Sequence, residues 1–151
     1  MKKIFLIAIG SVIFMSCKTD KQTPEVEEKS EIEQVQIQDE ASEALQLNNG
    51  EKWMVNDEMK PFVIKSEALV ESYIKDNKTD YKTLAQEIKD QNNQLIKSCT
   101  MDGPSHDELH KWLHPHLELV GKLAETDDAA QAQPMVTELQ TSYQTYHQYF
   151  N

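Results

Sequence analysis

The chain has 151 residues, the length of one ordinary domain, and sets 15 lysines against 26 acidic residues for a formal net charge of −11. It has no arginine, so it lacks both the positive surface that nucleic-acid phosphates need and the forked guanidinium favoured at phosphate and carboxylate sites. Four glycines without G-x-G-x-x-G or G-x-x-x-x-G-K-[ST] spacing exclude the common nucleotide loops, and two cysteines exclude a multi-disulfide framework.

The first element is an address. Lys2 and Lys3 precede an apolar run from Ile4 to Met15, too short for a permanent transmembrane helix and laid out as a secretory signal. It ends in Phe14-Met15-Ser16-Cys17, which resembles the lipobox of bacterial lipoproteins, with Met15 in place of the usual small residue. That resemblance implies cleavage after residue 16, lipidation of Cys17 and attachment to a membrane of the cell envelope. Residue 18 is lysine rather than aspartate, so retention at the inner membrane is not signalled and the outer membrane is expected. Residues 17–44 form the next element, a tether rich in Glu, Gln, Ser and Thr without aromatic residues. Such a segment buries too little apolar surface to offset its ordering entropy and reads as flexible.

Residues 45–151 carry the fold. Leu45, Leu47, Trp53 and Val55 flank Asn49-Gly50, which predicts a short hairpin-like lead-in segment that must pack on something larger. Helix 1 is expected from 56 to 76, with Asn56 as N-cap and Met59, Phe62, Val63, Val70, Tyr73 and Ile74 inward. Helix 2 is expected from 79 or 80 to 98, with Tyr81, Leu84, Ile88 and Leu95 inward and Cys99 one turn on. Helix 3 opens on the capping box Ser105-His-Asp-Glu108. Its stripe is Leu109, Leu113, Leu117, Val120 and Ala124, and Pro115 predicts a kink or restart. Helix 4 lies between 126 and 150, with Ala132, Met135, Val136, Leu139, Tyr143, Tyr146 and Phe150 inward and an early break at Pro134. Short loops between amphipathic helices predict an all-α, antiparallel up-down four-helix bundle.

The unusual residues fall together. All five histidines lie between His106 and His147, four of them within Ser105-His106-Asp-Glu-Leu-His110-Lys-Trp-Leu-His114-Pro-His116, just after Cys99-Thr-Met101. At about 100° per residue, His106 sits at the centre of the expected stripe and His110 about 40° away. His114 and His116 are expected at the surface or behind the ligands. Up-down topology brings Met54, Met59, Cys99, Met101, His106, His110 and His147 to one end of the bundle, ringed by Trp53, Tyr146 and Phe150. Thiolate, thioether and imidazole together suit copper, with zinc second. The expected metal ligands are therefore Cys99, Met101, His106 and His110. Met59, His147, His114 and His116 are possible additions. Singly, each of these residues is more often core packing than ligand.

Other chemistry is weaker. A Cys99–His106 or Cys99–His110 nucleophile pair has no visible oxyanion hole, and no catalytic residue is assigned. Noncovalent haem, with Met59 and His147 or Met101 and His106 as axial ligands, is a further alternative. The di-iron signature Glu-x-x-His is absent from the sequence. The competing class is a metal-free interaction or structural module of the envelope.

The stretch Ile96-Lys-Ser-Cys-Thr-Met-Asp-Gly-Pro-Ser-His-Asp-Glu-Leu-His-Lys-Trp-Leu, with Leu47-Asn-Asn-Gly-Glu-Lys-Trp53 before it, resembles a segment of small helical-bundle envelope lipoproteins of the Bacteroidota. The resemblance spans roughly residues 45–150. It implies an α-helical envelope protein and carries over no activity. From the residues, the expectation is a lipid-anchored, non-enzymatic bundle that binds copper, with zinc second, for buffering, sensing or handover, with a metal-transport or other envelope protein as partner.

Overall fold

The computed structural model describes residues 44–151. The expected signal peptide and nearly all of the tether, Cys17 included, lie outside the described residues. The rest is four helices: α1 Lys60–Lys75, α2 Tyr81–Lys97, α3 Gly103–Glu125 and α4 Ala129–Tyr149. Each packs on its neighbour in sequence, and α4 closes back on α1. Connections of three to five residues enforce the antiparallel up-down order. No helix among the described residues is long and apolar enough to cross a membrane.

The helix ends follow from local chemistry. Met59, Val63, Val70 and Tyr73 form the buried face of α1. This helix begins at Lys60 rather than at 56, with Pro61 in its first turn. Asn56 does not cap it: its Nδ2–H donates to the Ser98 carbonyl at 3.0 Å, tying the start of α1 to the end of α2. At the other end Asn77 takes φ +50°, Lys78 N–H donates to Tyr73 O at 3.0 Å and Asn77 N–H to Ile74 O at 3.2 Å. That pair of bonds is a Schellman stop. Helix α2 starts where Asp80 accepts the Thr83 N–H at 3.0 Å, and α4 where Asp128 accepts the Ala130 N–H at 2.8 Å.

Three expectations about prolines and caps are corrected. Helix α3 starts at Gly103 with Pro104 in its first turn, two residues before the expected capping box. Proline costs nothing there because its missing N–H has no helical acceptor. Glu108 is therefore free of capping and turns elsewhere. Pro115 neither stops nor restarts α3, and Pro134 does not break α4. Both prolines are exposed, so the carbonyl each leaves unpaired one turn back can be solvated.

The core runs the length of the bundle. Ala85, Ile88, Leu123, Val136 and Leu139 are all fully buried and come from three of the helices. Most expected core residues are inside. On α3 the face is rotated: Trp112, His116, Leu119 and Leu123 are buried, while Leu117 and Ala124 are only half-buried.

The lead-in segment clasps the top of the bundle. Asn49 and Gly50 both take positive φ, +52° and +92°, the signature of a primed hairpin turn, and Asn48 and Glu51 exchange backbone bonds across it. Trp53 then pairs in parallel with Phe150: Trp53 N–H donates to Tyr149 O at 2.8 Å and Asn151 N–H to Trp53 O at 3.0 Å. The Trp53 indole N–H reaches back to Gln46 O at 2.7 Å. Both ends of the described chain are thereby fixed to the bundle end that carries the start of α3.

Candidate metal centre on the third helix

The up-down order gathers the beginnings of α1 and α3 with the ends of α2 and α4. The expected donors come to that end, but they divide into three groups.

The first group is a ladder of imidazoles. His106, His110 and His114 stand one turn apart on α3. Ring centroids are 4.4 Å apart for His106–His110 and 4.7 Å for His110–His114, both edge to face. The Nε2 atoms of His106 and His110 lie 3.0 Å apart. At that distance one nitrogen donates a proton and the other accepts it. His106 and His110 are half-buried, whereas His114 is exposed. The face rotation of α3 explains this: His106 is off the centre of the buried stripe, beside it rather than under it. Burial first, then repulsion from His106 and His114, pulls His110 below the ordinary histidine range, against a smaller upward pull from Asp107. Both effects favour the neutral form of His110, the one that ligates metals.

The second group is a polar network inside the core, and it corrects the expectation for His116. That residue is not at the surface. It is 1% exposed, stacked on Trp112 with centroids 4.9 Å apart. Its Nδ1 lies 3.0 Å from Ser142 Oγ and its Nε2 3.3 Å from Tyr143 Oη. Tyr143 Oη in turn lies 2.5 Å from Ser66 Oγ. Burial lowers the His116 pKa to about 4 and raises that of Tyr143, so both stay neutral. Every ring nitrogen of His116 is occupied by protein, which removes it from the candidate ligands. The sequence signal was available: Trp112 and His116 share one face with Leu109, Leu119 and Leu123 at helical spacing.

The third group comprises donors placed apart. Met59 is 1% exposed within the apolar core. His147 is on the outer surface, where its Nε2 meets Glu67 Oε2 at 2.8 Å. Met54 is 64% exposed, and its sulfur accepts from Asn151 Nδ2 at 3.7 Å. Cys99 and Met101 are half-buried in the loop between α2 and α3 and pack against the core. Cys99 is a free thiol. Among the described residues, no group of three or more His, Cys, Asp or Glu is placed to hold one ion.

Glu108, expected as part of a capping box, has another role. It is 6% exposed and accepts the Gln46 backbone N–H together with the Lys111 ammonium at 2.9 Å. A buried carboxylate with two donors is held rather than stranded, and this one anchors the lead-in segment to α3. An open groove of about 440 Å³ is lined by Tyr73, Asn77, Lys78, Asp80 and Glu87. It lies at the α1–α2 turn, the end opposite the histidine ladder.

No protein family, curated protein or solved structure matches this chain.

Proposed function

We propose that this chain is an envelope lipoprotein, lipidated at Cys17 and held at the outer membrane. Its bundle takes up one transition-metal ion through His106 and His110, for buffering or for handover to a metal-transport or other envelope partner. The observation that carries this reading is the 3.0 Å approach of the two Nε2 atoms. Two imidazoles four residues apart on a helix, aimed at each other, are a ready-made bidentate pair. An ion takes the place of the shared proton, and that proton moves to Nδ1 of the same ring. Imidazole nitrogens suit both Cu(II) and zinc, and of the two Cu(II) is the ion such a pair holds more tightly. The remaining coordination positions are open to water, to a partner's donor, or to Cys99 and Met101 of the adjoining loop, whose sulfurs suit Cu(I). An open pair suits exchange better than permanent storage.

A metal-free structural module is the second reading. His116 supports it, since both its ring nitrogens are taken up by Ser142 and Tyr143 within the fold. The deciding experiment is titration of the full-length chain in detergent with Cu(II) and Zn(II), followed by absorbance and melting temperature. Binding to the native state raises the melting temperature by mass action. One equivalent of Cu(II) bound, weakened about tenfold or more by His110→Ala, supports the metal reading. No uptake of either ion leaves the structural module.

A further inference from the structure

His110 is the middle rung of the ladder. His106 stands one turn before it and His114 one turn after, at near-equal ring separations of 4.4 and 4.7 Å and with the same edge-to-face relation. The rungs differ in solvent access, because His106 is half-buried and His114 is exposed.

We propose that the ladder holds two overlapping metal seats that share His110, an inner one with His106 and an outer one with His114, and that an ion leaves by stepping from the inner to the outer seat. This rests on the metal reading given above. The step is a ligand exchange without redox change. His110 Nε2 stays bound while His114 donates a ring-nitrogen lone pair to the ion and His106 Nε2 withdraws. The exchange swaps one imidazole nitrogen for another, so the number of nitrogen ligands is unchanged. At the outer seat the ion faces solvent, where an acceptor with nitrogen or sulfur donors completes the transfer. The acceptor class is therefore another copper-binding chain or chelator, approached from the α3 surface.

The test uses the full-length chain in detergent, loaded with one equivalent of Cu(II), and reads transfer to a chromophoric copper chelator by stopped flow. His114→Ala is expected to hold Cu(II) within about threefold of the native affinity and to release it at least fivefold more slowly. His106→Ala is expected to keep a weaker site with faster release, and His110→Ala to lose both. A native release rate in His114→Ala overturns the stepping proposal while leaving the inner pair intact. A large loss of affinity in His114→Ala also overturns it, because His114 is then a third ligand of a single seat. Failure of the native chain to take up Cu(II) removes the underlying reading and the inference with it.

Discussion

Tyr143 links His116 to Ser66 in the middle of the bundle, its hydroxyl 2.5 Å from Ser66 Oγ and 3.3 Å from His116 Nε2. Helices α1, α3 and α4 are thus joined by one chain of hydrogen bonds through a mainly apolar core. Buried polar groups lose their hydration and must recover it from partners. Here each ring nitrogen and each hydroxyl has one.

This network makes stability depend on acid. The His116 pKa falls from 6.5 in the unfolded chain to about 4 in the fold because burial penalises the charged ring. Between those values the unfolded chain binds a proton that the folded chain does not, so acid favours unfolding. The contribution of His116 is complete above about pH 6.5 and is lost as pH falls toward 4, about 3 kcal/mol in all. Urea denaturation from pH 4 to 7.5 should show this slope in the native chain and a flatter one in His116→Phe. Parallel slopes would mean that His116 titrates normally in the fold.

Removing the central hydroxyl should strand its neighbours. Tyr143→Phe keeps the ring, which is 1% exposed, but leaves Ser66 Oγ and His116 Nε2 without their shared partner. Leaving a buried group unsatisfied costs about 1–3 kcal/mol. The double variant Ser66→Ala/Tyr143→Phe should recover part of that loss, because it removes the stranded hydroxyl as well. Additive losses in thermal or urea unfolding would show that the two residues act independently.

Much of this architecture was legible in the sequence, and the misreadings have identifiable causes. Helical spacing placed Leu84, Ile88 and Leu95 inward because α2 carries few competing apolar residues, and they are buried. On α3 two stripes compete. Counting Leu109, Leu113 and Leu117 puts His106 at the centre, whereas packing keeps Leu109 and Leu113 but adds Trp112 and His116 and leaves Leu117 half-buried. A large aromatic ring gains more by burial than one more leucine, and Trp112 also gains a bond from its Nε1–H to Ser142 O at 2.8 Å. His116 goes inside with it because partners for both ring nitrogens wait on α4. Those partners lie 26 and 27 residues away, a distance at which periodicity carries no information. The prolines misled for a related reason: their effect depends on whether the orphaned carbonyl meets solvent, which sequence alone does not show. The His106–His110 pair was legible because an i, i+4 relation survives a rotation of the helix.

The end of α1 offers a separate test of the backbone. Asn77 holds φ +50° in its Schellman stop, a left-handed conformation that a β-carbon disfavours by about 1–2 kcal/mol and that asparagine tolerates better than most residues. Asn77→Ala should therefore lose about 1 kcal/mol, and Asn77→Gly should match or exceed the native stability. The residue is exposed, so packing does not confuse the comparison. Equal midpoints for alanine and asparagine would show that the stop carries no strain.

The clasp between the chain ends should behave as part of the core. Phe150 is 1% exposed and stacks on Tyr146 with centroids 5.3 Å apart, while the next backbone amide, at Asn151, bonds Trp53 O. Truncating a buried phenylalanine costs about 3–5 kcal/mol. Phe150→Ala should lower stability by that amount and speed hydrogen exchange at the Trp53 amide. If the Trp53 amide exchanges freely in the native chain, the lead-in segment is only loosely attached.

The two oxidation states of copper separate the helix from the loop beside it. Imidazole nitrogens suit Cu(II), whereas thiolate and thioether sulfur suit Cu(I). The histidine pair converges without the loop, at 3.0 Å. Cys99 and Met101 lie in the loop that precedes α3 and are packed against the core. Cys99→Ser should therefore leave Cu(II) affinity within about threefold and weaken Cu(I) about tenfold or more, while His110→Ala weakens both. Competition against chelators specific for each ion, run under reducing conditions for Cu(I), measures these affinities in the native chain and both variants. Unchanged Cu(I) binding in Cys99→Ser would remove the loop from the site and leave the imidazole ladder as its whole ligand set.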